Sequence, residues 1–169
     1  AIYAIGASVA LRWSLSDGSK LEAAIASVES AGTALPKGTL GPVSYRFFVL
    51  QDDVQVVVAI QDNELVVGVM HKNVAPDVLP VLFKQQKPQK SIADTGALRQ
   101  IVGKYGLMGN MAGYFDSQLL RAAFVGEASP LTQKTMAATG LDASDLPGEC
   151  KSELKDLADV MPRAVFGYT

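Results

Sequence analysis

Between residues 44 and 71 the chain reads SYRFFVL-QDD-VQVVVAIQ-DN-ELVVGVMH, three apolar runs separated by short polar breaks. Short runs rich in Val, Ile and aromatics, bounded by Asp and Asn, predict strands joined by tight turns. Neighbours joined in this way are antiparallel, so the segment predicts a three-stranded meander. Taking Asp62-Asn63 as a hairpin loop, where both residues tolerate positive φ, sets Ile60 opposite Leu65, Val58 opposite Val67, Val56 opposite Val69 and Val54 opposite His71. Taking Asp52-Asp53 as the preceding turn sets Val49 opposite Val56, Phe47 opposite Val58 and Tyr45 opposite Ile60. One face then holds Tyr45, Phe47, Val49, Val54, Val56, Val58, Ile60, Leu65, Val67 and Val69, the expected core.

The opposite face carries Arg46, Phe48, Leu50, Gln55, Val57, Ala59, Gln61, Glu64, Val66 and Met70. That mixture is too apolar for a fully solvated face. It implies a cover, supplied by other parts of the chain, by another domain or by a second copy. Arg46, Phe48, Leu50, Val57, Val66 and Met70 are therefore the expected interaction face.

The pattern elsewhere is mixed. Residues 2–15 read as a strand with a break at Gly6. In SDGSKLEAAIASVESAG, Ser19 and Glu22 fit a capping box; Leu21, Ile25 and Val28 fall at helical spacing, and Gly32 can close the helix. Residues 33–43 read as a Gly/Pro loop. APDVLPVLF predicts a short helix limited by Pro76 and Pro80, followed by a polar connector at 84–90. A helix from Asp94 to Tyr105 ends at Gly106, NMAGYF (110–115) reads as a strand, and Asp116 can cap the helix that follows. PLTQKTMAATG predicts a helix ending at Gly140, Asp145 to Met161 a further one, and RAVFGYT a closing strand. The expected class is α+β: a mainly antiparallel sheet with helices packed on one face.

Composition narrows function mainly by exclusion. The 169 residues are 49% hydrophobic and 19% charged, which suits one globular domain spanning 1–169, or at most two small ones, with a core large enough to need no staple. Fifteen Lys and Arg against 17 Asp and Glu give a net charge of -2. A nucleic-acid partner would call for a basic excess on one face, so none is expected. No apolar run reaches the roughly 20 residues of a membrane span. The chain opens on Ala1 already in strand pattern, as an excised piece of a longer protein would. Cys150, the one cysteine, is either a buried thiol or half of a bond to a residue outside the chain.

Candidate chemistry is sparse. His71, the sole histidine, lacks the partners a general base or metal site needs, and no G-x-S-x-G elbow accompanies it. It reads as a strand-end residue at the sheet rim. Gly103, Gly106, Gly109 and Gly113 follow a helix, without the strand context of a phosphate loop. Met108 and Met111 offer soft ligands for Cu(I) but read as core filler. Lys84, Lys87 and Lys90 form a small basic connector that reads as solvated loop. Asp52, Asp53, Asp62, Asp142 and Asp145 sit at turns and helix starts, where capping accounts for them. No catalytic residue, cofactor or metal site is expected.

The segments AIYAIGASVALRWSLSD, SIADTGALRQIVGKYGLMGNMAGYFD and GECKSELKDLADVMPRAVFGYT, with Gly6, Arg12, Gly113-Tyr114, Cys150, Glu153 and Pro162-Arg163 as specific positions, resemble a group of functionally uncharacterised proteobacterial envelope proteins, often predicted lipoproteins. The chain departs from that pattern at Ala7-Ser8, where a more apolar pair is expected. The resemblance implies a periplasmic or outer-membrane-anchored location, a longer parent chain and a disulfide from Cys150 to the missing part.

Together these readings predict a non-enzymatic structural or interaction domain of a bacterial envelope protein, partnered by the rest of its parent chain, another envelope protein or a second copy. The runner-up is a small-molecule or lipid carrier with an apolar pocket between sheet and helices. An enzyme centred on His71 ranks third.

Overall fold

The computed structural model describes residues 1–32, 34–50, 53–88, 92–108 and 112–169. Asp52, Lys90, Gly109, Asn110 and Met111, used in the sequence reading, lie outside them. The fold is α+β with a mainly antiparallel sheet. Where the sequence reading takes one domain, contacts divide the chain into two compact units, residues 1–87 with 130–141, and residues 88–129 with 142–169. The division after Lys87 falls inside the polar connector.

The first unit is built on a six-stranded antiparallel sheet in the order β1-β2-β6-β5-β4-β3. Its strands are β1 (Ile2–Ile5), β2 (Ser8–Ser14), β3 (Lys37–Leu40), β4 (Val43–Val49), β5 (Val54–Gln61) and β6 (Glu64–His71). Three helices join it: α1 (Gly18–Ser30), α2 (Ala75–Leu82) and α6 (Pro130–Ala138). The break at Gly6 is a full reversal, since β1 folds back on β2 with Ile5 paired to Ser8. Gly6 turns at φ 60°. β3 lies within the stretch expected to be loop, paired to β4 around a turn at Gly41 (φ 55°). Its KGTL sequence is too short and too polar to announce a strand; pairing along β4 supplies what local propensity lacks.

The β5–β6 register is as the turn chemistry predicts, from Ile60 opposite Leu65 to Val54 opposite His71, with Asp62 and Asn63 both at positive φ. The β4–β5 register differs by one residue. Phe47 pairs with Val57, Arg46 with Val58 and Val49 with Gln55. The cause is the turn. Leu50 N–H donates to the Val54 carbonyl at 2.7 Å and Asp53 sits at φ 67°, so the connection has three residues, not two, and ends in the left-handed region. A shift of one residue exchanges the faces of a strand. Tyr45 and Phe47 therefore share a face with Val57 and Ala59, and with Val66 and Met70 beyond them.

That face is the core. Val57 and Val66 are fully buried, packed with Val74, Val78, Leu79, Leu82 and Phe83 at and around α2. Small residues make room for the helix: Ala10 pairs with Gly68, and Ala59 lies beside Val66. A Cβ on Gly68 would stand 2.6 Å from Leu82 Cδ2. Arg12 fixes the end of the helix. Its guanidinium donates to the Leu82 carbonyl, to Glu64 Oε2 at 2.6 Å and to Tyr3 Oη at 3.1 Å, where a cation also suits the negative end of the helix dipole. α6 packs on the same face through Leu131 and Ala138. α1 lies on the other face, so the helices do not all share one.

The second unit holds α3 (Ile92–Thr95), α4 (Ala97–Tyr105), β7 (Ala112–Asp116), α5 (Ser117–Phe124), α7 (Gly148–Val160) and β8 (Arg163–Gly167). The helix expected from Asp94 is interrupted at Gly96 (φ 64°) and stops at Gly106 as expected. Asp116 caps α5 by accepting from Gln118 and Leu119 N–H. β7 and β8 form a two-stranded antiparallel ribbon. Among the described residues this unit buries only Ala97, Ile101, Ser117, Ala123 and Ala158.

Candidate functional site

The register shift decides which surface is available. Of the six residues expected on one interaction face, Val57, Val66 and Met70 are core beneath α2. Arg46 and Phe48 point to the opposite face, and Leu50 is exposed beyond the end of β4. The set does not form a surface.

Most of the β5 and β6 residues expected to be core form one instead, around Val56, which is buried as expected. Three rows of side chains cross the sheet on the face opposite α2. The first runs Ala4, Val9, Val69, Val56, Phe48, and the second Ile2, Leu11, Val67, Val58, Arg46. The third is Trp13, Leu65, Ile60. No charged residue occurs in them until Arg46. Ile2 is 77% exposed, Trp13 65%, Val9 50%, and Val69 and Phe48 36%. Single exposed apolar residues are ordinary; a contiguous uncharged sheet face is a docking feature. The sequence reading missed Ile2, Val9, Leu11 and Trp13. Their signal was the period-two alternation of β2 against Ala10, with Ala59 and Gly68 marking the face where a helix fits.

α1 rests on the β4–β5 side of this face. Asp17 caps it, accepting from Ser19 and Lys20 N–H. The expected Ser19–Glu22 box does not form because the cap is Asp17, which places Ser19 inside the first turn; Glu22 is engaged by Arg46, which donates to it at 2.6 and 3.1 Å. Arg46 also donates to Glu29, at 2.7 and 3.2 Å, and Lys37 bridges Glu29 at 3.1 Å. Bidentate guanidinium–carboxylate pairs are both stronger and more directional than neutral hydrogen bonds. The Arg46 hydrogen bonds are the main cause that holds the Glu29 carboxyl down at about 2. The two carboxylates in turn raise the Arg46 pKa above its ordinary value.

The remaining candidates are accounted for locally. His71 Nδ1 accepts from Asn73 N–H at 3.3 Å, capping the turn that leads to α2. Lys84 bridges Glu64 at 3.0 Å. Met108 is exposed and its amide donates to the Tyr168 carbonyl at 2.7 Å, tying the β7 side of the ribbon to the chain end. The Gly113 position faces the Phe166 ring, where a Cβ would lie 2.5 Å from Cζ; close approach of a neighbour, not an anion, explains it. Cys150 is a half-buried thiol on α7. Among the described residues no three His, Cys, Asp or Glu side chains are grouped to hold a metal, and no helix is long and apolar enough to cross a membrane. No protein-family model matches the chain, and neither the curated proteins nor the solved structures contain a significant match to it.

Proposed function

We propose that this chain is a non-enzymatic interaction domain of a bacterial envelope protein, whose uncharged β1-β2-β6 face docks against a flat apolar surface of another polypeptide. One observation carries the reading. Val9, Trp13 and Val69 stand exposed in a continuous apolar surface, and leaving such area in water forgoes roughly 25 cal/mol per Å². The envelope setting is supported by the resemblance at Gly6, Arg12, Cys150 and Pro162-Arg163. A carrier role has less behind it. An open groove of about 540 Å³ beside α1 has Glu22, Arg46, Gln61 and Asp62 in its wall, unlike the apolar, enclosed lining that ligand pockets favour.

A photo-crosslinking residue placed at Val9 of the protein, in cells, tests the reading. A discrete crosslinked polypeptide, absent when the probe sits at Ala26 on the outer side of α1, supports docking. Sedimentation of the purified chain then tells a second copy from a different partner. If Val9 gives no crosslink beyond that of Ala26, the docking reading fails.

A further inference from the structure

The surface just described is partly occupied by the chain itself, and the manner of that occupation is unusual. A helix of 13 residues on a globular domain ordinarily buries an apolar stripe, and such packing supplies most of its stability. α1 buries only a thin one: Gly18 is buried, Leu21 and Ile25 are half-buried and Val28 is 61% exposed. No α1 side chain belongs to the hydrophobic core or packs against it.

The directional contacts that attach α1 are polar. Asn63 Oδ1 accepts from Gly18 N–H at 3.0 Å at one end, and Arg46 grips Glu22 and Glu29 along the helix with four hydrogen bonds. Beside the first turn of the helix lies the open groove lined by Gly18, Glu22, Arg46 and Ile60, so this end of α1 borders open space. Beneath the helix the apolar rows continue: Val58 pairs with Arg46 on the same face, and a Cβ on Gly18 would lie 3.0 Å from Ile60 Cγ2.

From this we infer that α1 is a displaceable latch, a helix clamped by charge over the β4–β5 end of the apolar face, whose release extends the docking surface to Val58 and Ile60. The inference rests on the docking reading for its purpose, but not for its test. A helix held by buried apolar area detaches only when the core itself opens. One held chiefly by ion pairs, Arg46 with Glu22 and Glu29 and Lys37 with Glu29, detaches when the central arginine loses its partners, while the sheet and α2 stay folded.

Hydrogen–deuterium exchange on the whole chain, without any partner, separates the two cases. Arg46→Met keeps the apolar stem and removes the clamp. The expected result is exchange across 18–30 that is faster by about tenfold or more, because local opening sets the rate. Exchange across 75–82 in α2 should be unchanged, and binding of the dye ANS should rise as Val58 and Ile60 are bared. Should Arg46→Met unfold the unit, the Glu22→Gln/Glu29→Gln double variant, which alters no sheet residue, decides in its place. Unchanged exchange across 18–30, or α1 and α2 accelerating together in that double variant, overturns the latch. Neither result touches the Val9 crosslink, so the two readings stand or fall separately.

Discussion

Phe47 stands directly opposite Val57 across β4 and β5, and this one pairing sets which face of the sheet is interior. It puts Val57 and Val66 under α2 and places Val58, Val67 and Val69 on the opposite face, around a buried Val56. Val57→Ala and Val66→Ala each remove two methyl groups from a fully packed site and should cost about 1–3 kcal/mol from transfer and cavity terms. Val69→Ala, on the same strand as Val66 but facing the other way, should stay within about 0.5 kcal/mol of the parent. Urea unfolding of the three variants checks this. A Val69→Ala loss as large as that of Val66→Ala would reverse the assignment of faces.

Gly6 is required where β1 turns into β2. It sits at φ 60°, and a Cβ there would lie 2.2 Å from Thr135 Oγ1. That hydroxyl accepts from Ala7 N–H at 2.8 Å while it donates to the Thr132 carbonyl at 2.9 Å. Backbone strain of about 1–2 kcal/mol for the left-handed conformation adds to the disturbed contact with α6. Gly6→Ala should therefore lower the thermal midpoint by several degrees, whereas Gly140→Ala, at φ 79° with open space around it, should show the strain alone and fall less. Equal losses at the two sites would remove Thr135 from the explanation.

Acid should loosen α1 before it unfolds the sheet. Glu29 titrates at about 2, below its ordinary 4.5, principally because of Arg46 and secondarily Lys37. A depressed folded value means the carboxylate's contribution is complete above pH 4.5 and is lost as pH falls through that value towards 2. Carbon-detected NMR of the Glu29 carboxyl should show the low midpoint in the parent and a return towards 4.5 in Arg46→Met. Amide protection across 18–30 should fall in the same window. A Glu29 midpoint equal in both proteins would contradict the clamp geometry.

The second unit should be the less protected of the two. A two-stranded ribbon is marginal by itself, and β8 is exposed at all five positions, Phe166 by 64%. Arg163 helps by bridging Asp116 at 3.0 Å and lying 4.8 Å over the Tyr114 ring, yet a partly exposed pair and one cation–π contact contribute about 1 kcal/mol or less each. Amides of β7 and β8 should exchange faster than those of β5 under native conditions. Equal protection would mean that this unit opens only with the whole molecule.

Much of the architecture was readable in local signals. Asp62-Asn63 carries its own turn, so the β5–β6 register followed from two residues. Gly106, Gly32 and Asp116 ended or began helices as their chemistry dictates. The candidate surface was not readable, because it depended on the residues around Asp53. A two-residue and a three-residue turn differ little in sequence but invert every side chain of β4 relative to β5. Glu22 shows the same limit on a smaller scale: its spacing from Ser19 satisfied a capping rule, but Asp17 is the cap, and Glu22 pairs with an arginine 24 residues away in sequence.

The chain alone therefore determined its class and most of its strands and helices, β3, the pairing of β1 with β2 and the break between α3 and α4 excepted, since these depend on residues near one another in sequence. Only the tertiary structure decided which apolar face is buried. Both faces of β5 and β6 are rich in Val and could each have served as core. The choice went to the face where Ala10, Ala59 and Gly68 leave a trough for Leu82, because close packing needs complementary shape as well as hydrophobicity.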